Sequence, residues 1–187
     1  MEQKKIIVGA TGASGLPLLL ECLKLIRAAE GFSSALMMTH GAELTLKHEM
    51  AMERADAAEL ADEIFAIDEI GAGPASGSYR AVGMLVVPCS MKTAGAIAHG
   101  VTDDLLTRAA DVTLKEGRRL LLVPRETPMH EIHLENLLRL ARAGAVIMPA
   151  APGFYHRPET LDDLVNMMVG KILDRLGIEA ELFTRWR

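Results

Sequence analysis

A short, continuously apolar run followed by a turn and then a segment with helical spacing recurs along this chain, and that recurrence limits its folds more than any other feature. Lys4-Lys5-Ile6-Ile7-Val8 runs into Gly9-Ala10-Thr11-Gly12-Ala13-Ser14-Gly15 and then into Leu16 to Ala28, where apolar residues return at helical intervals. Met84-Leu85-Val86-Val87-Pro88 runs into Cys89-Ser90-Met91-Lys92-Thr93, which opens a small-residue helix ending near Gly100. Ser33 to Thr39 predicts a further strand, followed by helical segments to about Asp62, and Ile64 to Arg80, with Gly71, Gly73, Pro74 and Gly77, reads as a loop. Leu120 to Val123 and Ala145 to Met148 are strands interleaved with helices over Asp104 to Glu116 and Ile132 to Ala141. Thr160 is placed to cap a last helix through Leu176, with Gly177 as its stop. Strands covered on both faces lose the alternation of half-exposed ones, so four or five such runs between helices predict a parallel sheet inside a doubly wound α/β sandwich. Ligands of such sheets lie beyond the carboxyl ends of the strands. Gly9 to Gly15, Cys89 to Thr93, Pro124 to Thr127 and Ala150 to His156 are therefore expected to converge on one site.

A length of 187 residues suits one domain with one core, expected to span 1–187. Aromatic residues are scarce (Phe 4, Tyr 2, Trp 1) beside 11 Met, so aliphatic side chains and methionine must fill the interior. Lys and Arg total 20 against 25 Asp and Glu, and the net charge of -5 argues against a nucleic-acid partner. Cys22 and Cys89 stand far apart and read as free thiols in a reducing compartment, which gives a cytoplasmic expectation. No apolar run approaches ~18 residues, so neither a signal peptide nor a membrane span is expected.

The glycine loop is spaced G-x-x-G-x-x-G, unlike the dinucleotide pattern, and no acidic residue ends the second strand to hold a ribose. A tight turn would use the same glycines, but as a ligand loop this one favours a flavin mononucleotide over a nicotinamide cofactor. Ser90, Lys92 and Thr93 open a helix after a strand, where free N–H groups attract anions and where a plain Ser cap would look the same. Arg108, Lys115, Arg118, Arg119 and Arg125 concentrate positive charge in an acidic protein, with Arg118 and Arg119 expected on a solvated face. His130-Glu131-Ile132-His133 lacks the second histidine position of a zinc hydrolase, which falls on Leu134. Neither Asp103-Asp104 nor Asp162-Asp163 continues into the aspartate cluster of a magnesium-diphosphate site, so no metal is expected.

Seven segments in order, Thr11 to Gly15, Pro74 to Ser78, Pro88 to Thr93, Arg108 to Val112 with Leu114 to Glu116, Val123 to Pro128, Ile132 to Asn136 and Pro152 to Tyr155, resemble the flavin prenyltransferase family of the UbiX type. The resemblance covers nearly the whole chain and implies a flavodoxin-like, Rossmann-like three-layer sandwich that assembles as a homo-oligomer, with a dodecamer as the candidate assembly. It implies transfer of a dimethylallyl group from dimethylallyl phosphate to N5 and C6 of reduced FMN, giving prenylated FMN for a UbiD-type decarboxylase. Carried onto this chain, Gly12, Ala13 and Ser14 line the flavin, with Ser14 near N5, and Thr39, Ser90, Met91, Lys92, Thr93 and Arg125 complete the flavin site. Arg108, Lys115, Tyr155 and Lys171 fall in the prenyl-phosphate pocket with Glu126, and Ser14, Lys115 and Glu126 take the catalytic roles. Lys171 is often Arg in relatives, and Ile70 stands where some relatives carry Trp. The C-terminal tail, 178–187 with Phe183 to Trp186, is expected to fold over the pocket. Two alternatives stay open: an FMN-dependent decarboxylase of the cysteine-decarboxylase type, and a noncatalytic FMN carrier.

Overall fold

The computed structural model describes residues 3–186, so the terminal residues Met1, Glu2 and Arg187 of the expected 1–187 span lie outside the described residues. Six parallel strands are ordered β3-β2-β1-β4-β5-β6: β1 Lys4–Ala10, β2 Phe32–Met38, β3 Glu63–Phe65, β4 Gly83–Cys89, β5 Arg119–Pro124 and β6 Val146–Ile147. Without the short edge strand β3 the order is that of flavodoxin-like sheets, and with it the order matches the six-stranded Rossmann sheet. The order reverses between β1 and β4, and a crevice opens there at the carboxyl ends.

Where the chain length suggested one core, alternate residues of each strand feed two, one on each face of the sheet. Ile6, Val8, Leu85 and Val123 pack under α1 (Leu16–Ala28) and α7 (Leu161–Leu176). Ile7, Met84, Val86 and Leu122 pack under α4 (Met91–Ala98), α5 (Leu105–Lys115) and α6 (Glu131–Arg142). Truncating one fully buried Leu such as Leu23 or Leu106 is expected to cost about 2–5 kcal/mol. Helix α1 occupies the residues its spacing predicts, and α7 begins on a Thr160 capping box and ends at Gly177 with φ 77°.

Between β2 and β3, α2 (His40–Met50) and the short α3 (Arg54–Ala58) are separated at Ala51, which has φ 53°. The expected loop also needs correction. The segment read as a loop from Ile64 opens on β3, which pairs with β2 through Leu36 and Ile64, and only then becomes irregular, with a 3-10 turn at Gly73–Ala75. An edge strand of this kind escapes detection because one side faces water: Ile64 is exposed, so no continuous apolar run marks it.

Candidate functional site

Each loop leaving a strand is tied to the next at the carboxyl edge. Thr39 N–H donates to Ala10 O at 3.0 Å, Thr11 N–H to Pro88 O at 3.2 Å, Arg125 N–H to Cys89 O at 3.2 Å and Ala150 N–H to Pro124 O at 2.9 Å. The buried Thr11 hydroxyl joins two of these loops, donating to Pro88 O at 2.9 Å and accepting Ser90 N–H at 2.7 Å. The four segments singled out from the sequence thus meet on one rim.

A cleft of about 650 Å³ lies on that rim, walled by Gly12, Thr39, Gly41, Ser90, Lys92 and Thr93, with Asp103, Asp104 and Thr107 opposite. That is room enough for a mononucleotide. Its floor is backbone: a Cβ on Gly12 would stand 3.1 Å from Gly41 Cα and carbonyl carbon, and one on Gly41 would stand 3.2 Å from Gly12 Cα. Two helix N-termini open at the cleft. Thr39 caps α2 by accepting Ala42 N–H, and Ser90 caps α4 by accepting Thr93 N–H at 3.3 Å with Thr93 Oγ1 3.1 Å away. The remaining N–H groups of those first turns and their dipoles favour an anion.

Arg125 carries the clearest mark of a missing partner. Its Nε is buried and unpaired among the described residues, and a buried charged donor left without an acceptor costs about 1–3 kcal/mol or more. Such a group is retained where an acceptor arrives from outside the chain. Glu126 beside it is half-buried, its Oε1 accepting Thr127 N–H at 3.1 Å. Ser14 is exposed on the glycine loop, Ala13 is buried, and Lys92 is exposed on the first turn of α4. Met91 buries its side chain in the core beneath α4 and offers the cleft only backbone. Cys89 is buried there too, and desolvation pushes its thiol up to about 12, so no thiolate nucleophile is at hand.

The basic residues lie elsewhere. Helices returning antiparallel to the strands carry Lys115 to the amino edge of the sheet, roughly 10 Å along α5 from Arg108 at ~1.5 Å per residue. Arg108 gives Nε–H to Ala75 O at 3.2 Å and pairs with Asp111 at 2.9 Å, while Lys115 pairs with Glu116 at 2.5 Å beside Gly77. Tyr155 and the exposed Lys171 belong to the other helical layer, with α7. One chain therefore brings Gly12, Thr39, Ser90, Lys92 and Thr93 into one cleft, whose walls do not include Ala13, Ser14, Met91 or Arg125, and leaves Arg108 and Lys115 on the opposite side of the sheet from Tyr155 and Lys171.

Arg118 also departs from expectation. It is no solvated residue: its guanidinium donates to Gly77 O at 2.6 Å and Tyr79 O at 2.7 Å, a clamp that helical periodicity cannot show. Arg119 is exposed as expected, though its guanidinium reaches Arg175 O. The tail runs along α7, where the Phe183 ring lies against Gly170, Arg185 makes two 2.7 Å bonds to Asp174, and Trp186 stands edge-on to Tyr155 at 5.6 Å.

Sequence reasoning missed Glu49. From α2 its carboxylate accepts Gly15 N–H at 3.0 Å and Leu16 N–H at 3.0 Å, filling the N-terminus of α1. Gly15 has φ 118°, which favours glycine, but nothing in the local sequence of either partner announces a contact between residues 34 apart.

The Flavoprotein family model matches residues 1–173. A flavin prenyltransferase UbiX from Methanothermobacter thermautotrophicus is 48% identical over 98% of this chain and 95% of its own length. AnUbiX (PadA1), crystallised with FMN and dimethylallyl pyrophosphate, superposes with a TM-score of 0.97 at 45% identity over 100% of this chain and 98% of its own. A dodecameric FMN-dependent UbiX-like decarboxylase from Escherichia coli O157:H7 superposes with a TM-score of 0.96 at 45% identity, covering 98% of this chain and 99% of its own.

Proposed function

This chain belongs to the flavin prenyltransferase family of the UbiX type, and from that premise we propose that it joins a dimethylallyl group to N5 and C6 of reduced FMN, yielding prenylated FMN for a UbiD-type decarboxylase. It is a prenyltransferase and a flavoprotein. The observation that carries the reading is the cleft itself, where a glycine floor and two helix N-termini face one hollow, with the unpaired Arg125 donor on the same rim, tied to Cys89 O.

The bound flavin supplies the two ring atoms at which the new bonds form; the chain's residues hold, orient and neutralise. Gly12 and Gly41 admit the ring system close to backbone, with Ala13, Ser14 and the Met91 backbone along its edge and Ser14 near N5. Thr39, Ser90, Lys92, Thr93 and Arg125 offer donors to the flavin and its phosphate, each charge-assisted bond contributing about 1.5–3 kcal/mol. As the allylic C–O bond breaks, its electron pair leaves on the phosphate, where Arg108, Lys115 and Lys171 and the Tyr155 hydroxyl offset the growing charge. Glu126 carries a proton between the alkylated ring and the departing group.

Because Arg108 and Lys115 lie across the sheet from Tyr155 and Lys171, the prenyl-phosphate pocket is read as shared between subunits of a homo-oligomer. The dodecameric relative supports that reading. The tail 178–186 is read as closing the pocket, a reading that the contact between Trp186 and Tyr155 supports.

Anaerobic incubation of the protein with reduced FMN and dimethylallyl phosphate tests the proposal. Mass spectrometry of the extracted flavin should show one added five-carbon unit. Recovery of unchanged FMN with both dimethylallyl phosphate and the diphosphate would overturn it.

A further inference from the structure

The segment Pro74–Ser78 has no regular structure beyond one 3-10 turn, yet it is held from both sides. On one side α5 and the turn after it grip its carbonyls: Arg108 Nε–H reaches Ala75 O at 3.2 Å, and Arg118 reaches Gly77 O and Tyr79 O. On the other side Tyr79 ends the segment and anchors it to the sheet edge. Its hydroxyl donates to Glu63 Oε2 of β3 at 2.9 Å, and its ring lies edge-on to Phe65 at 6.2 Å. Lys5 of β1 completes the anchor, pairing with Glu63 Oε1 while its ammonium stands 4.9 Å from the Tyr79 ring centroid. The ring also packs against Gly73, where a Cβ would stand 2.7 Å from it.

Protons are settled within this group. Burial, then the Glu63 carboxylate, raises the Tyr79 phenol well above its usual range, and the Lys5 ammonium, then the Tyr79 hydroxyl, lowers the Glu63 carboxyl. Tyr79 is the donor and Glu63 the charged acceptor.

We propose that Tyr79, fixed by Glu63 and Lys5, is a positioning residue for prenyl-phosphate recognition: it sets the Pro74–Ser78 segment, and that segment aims Arg108. The link is the Ala75 carbonyl. It holds Nε–H while Asp111 holds Nη1, which leaves the edge that carries Nη2 to turn its N–H groups to a phosphate oxygen. Moving Ala75 would rotate that edge. The inference rests on the assignment of Arg108 to the prenyl phosphate made above.

The test uses the full chain loaded with FMN. Tyr79→Phe removes one oxygen, and Glu63→Gln removes the charge without touching the ring, so either variant can be read if the other fails to fold. Each is expected to raise KM for dimethylallyl phosphate by about three- to ten-fold, the effect of one hydrogen bond, with kcat and the Kd for FMN unchanged. Combined with Arg108→Gln, Tyr79→Phe should add nothing, because the residue it aims is gone. An unchanged KM in both single variants, or an additive loss in the double variant, overturns the inference while leaving the proposed function intact. An unchanged KM in Arg108→Gln alone overturns the assignment of Arg108 to the phosphate and this inference with it.

Discussion

The loops after β1, β2, β4 and β5 are tied to one another at the carboxyl edge by backbone and Thr11 hydrogen bonds, whereas Arg108, Lys115, Tyr155 and Lys171 are distributed over two helical layers and toward the opposite edge. On the proposed reading, flavin binding at the first region draws on what one chain already orders. On the same reading, charge stabilisation by the second draws on more than one copy. The difference separates two properties usually measured together, flavin affinity and turnover, and assigns them to different levels of structure.

The separation can be broken most forcefully at Lys115. Lys115→Ala should lower prenyl transfer by about 10²–10³-fold, the scale of losing one group aimed at developing charge, with flavin titration curves superimposing on the parent. A parallel loss of flavin affinity would merge the two regions again. Subunit mixing sharpens the same point. Co-expressed Lys115→Ala and Tyr155→Phe chains, each inactive alone, should recover about a quarter of parental activity if a site draws the two residues from different chains at random. No recovery would return both residues to one chain's site.

Arg125 tests the first region. Arg125→Ala should weaken FMN binding by about 10–100-fold, the equivalent of one charge-assisted contact, as read by fluorescence quenching. An unchanged Kd would mean that its buried donor serves something else.

The smallest effect concerns the tail. The Arg185 guanidinium holds the Asp174 carboxyl below its ordinary value, so the tether is complete above the unfolded value of ~3.9 and weakens only as pH falls through the lower folded one. Trp186 is the only tryptophan and stands by Tyr155, so its anisotropy should stay flat from pH 7 to 5 and fall below pH 4. Asp174→Asn should show the lower value already at pH 7. A transition centred near pH 6 would mean that the Asp174 carboxylate is not what holds the tail.

What the sequence disclosed follows the same division. Helix α1, the Thr160 cap and the Gly177 stop were legible because each depends on residues within one or two turns of each other. The cleft was legible too, since every strand of a parallel sheet delivers its following loop to one edge. Edge strand β3, the Arg118 clamp, the Glu63–Tyr79 bond and the Glu49 contact were not. Each joins positions far apart in the chain, through side chains whose local setting looks like ordinary surface. The basic residues were assigned to a phosphate only through likeness to a family, because their separation within one chain gives no sign of a shared task.

Glu49 has a consequence for which ligands the crevice can admit. Four helices begin around it, α1, α2, α4 and α5, and the chain has already met the positive ends of the first and the last with carboxylates of its own, Glu49 and Asp104. Two attractive poles remain. A mononucleotide, with a single phosphate, is satisfied by that number, while a pyrophosphate laid across the glycine turn in the dinucleotide manner would have to evict an internal anion before it could settle.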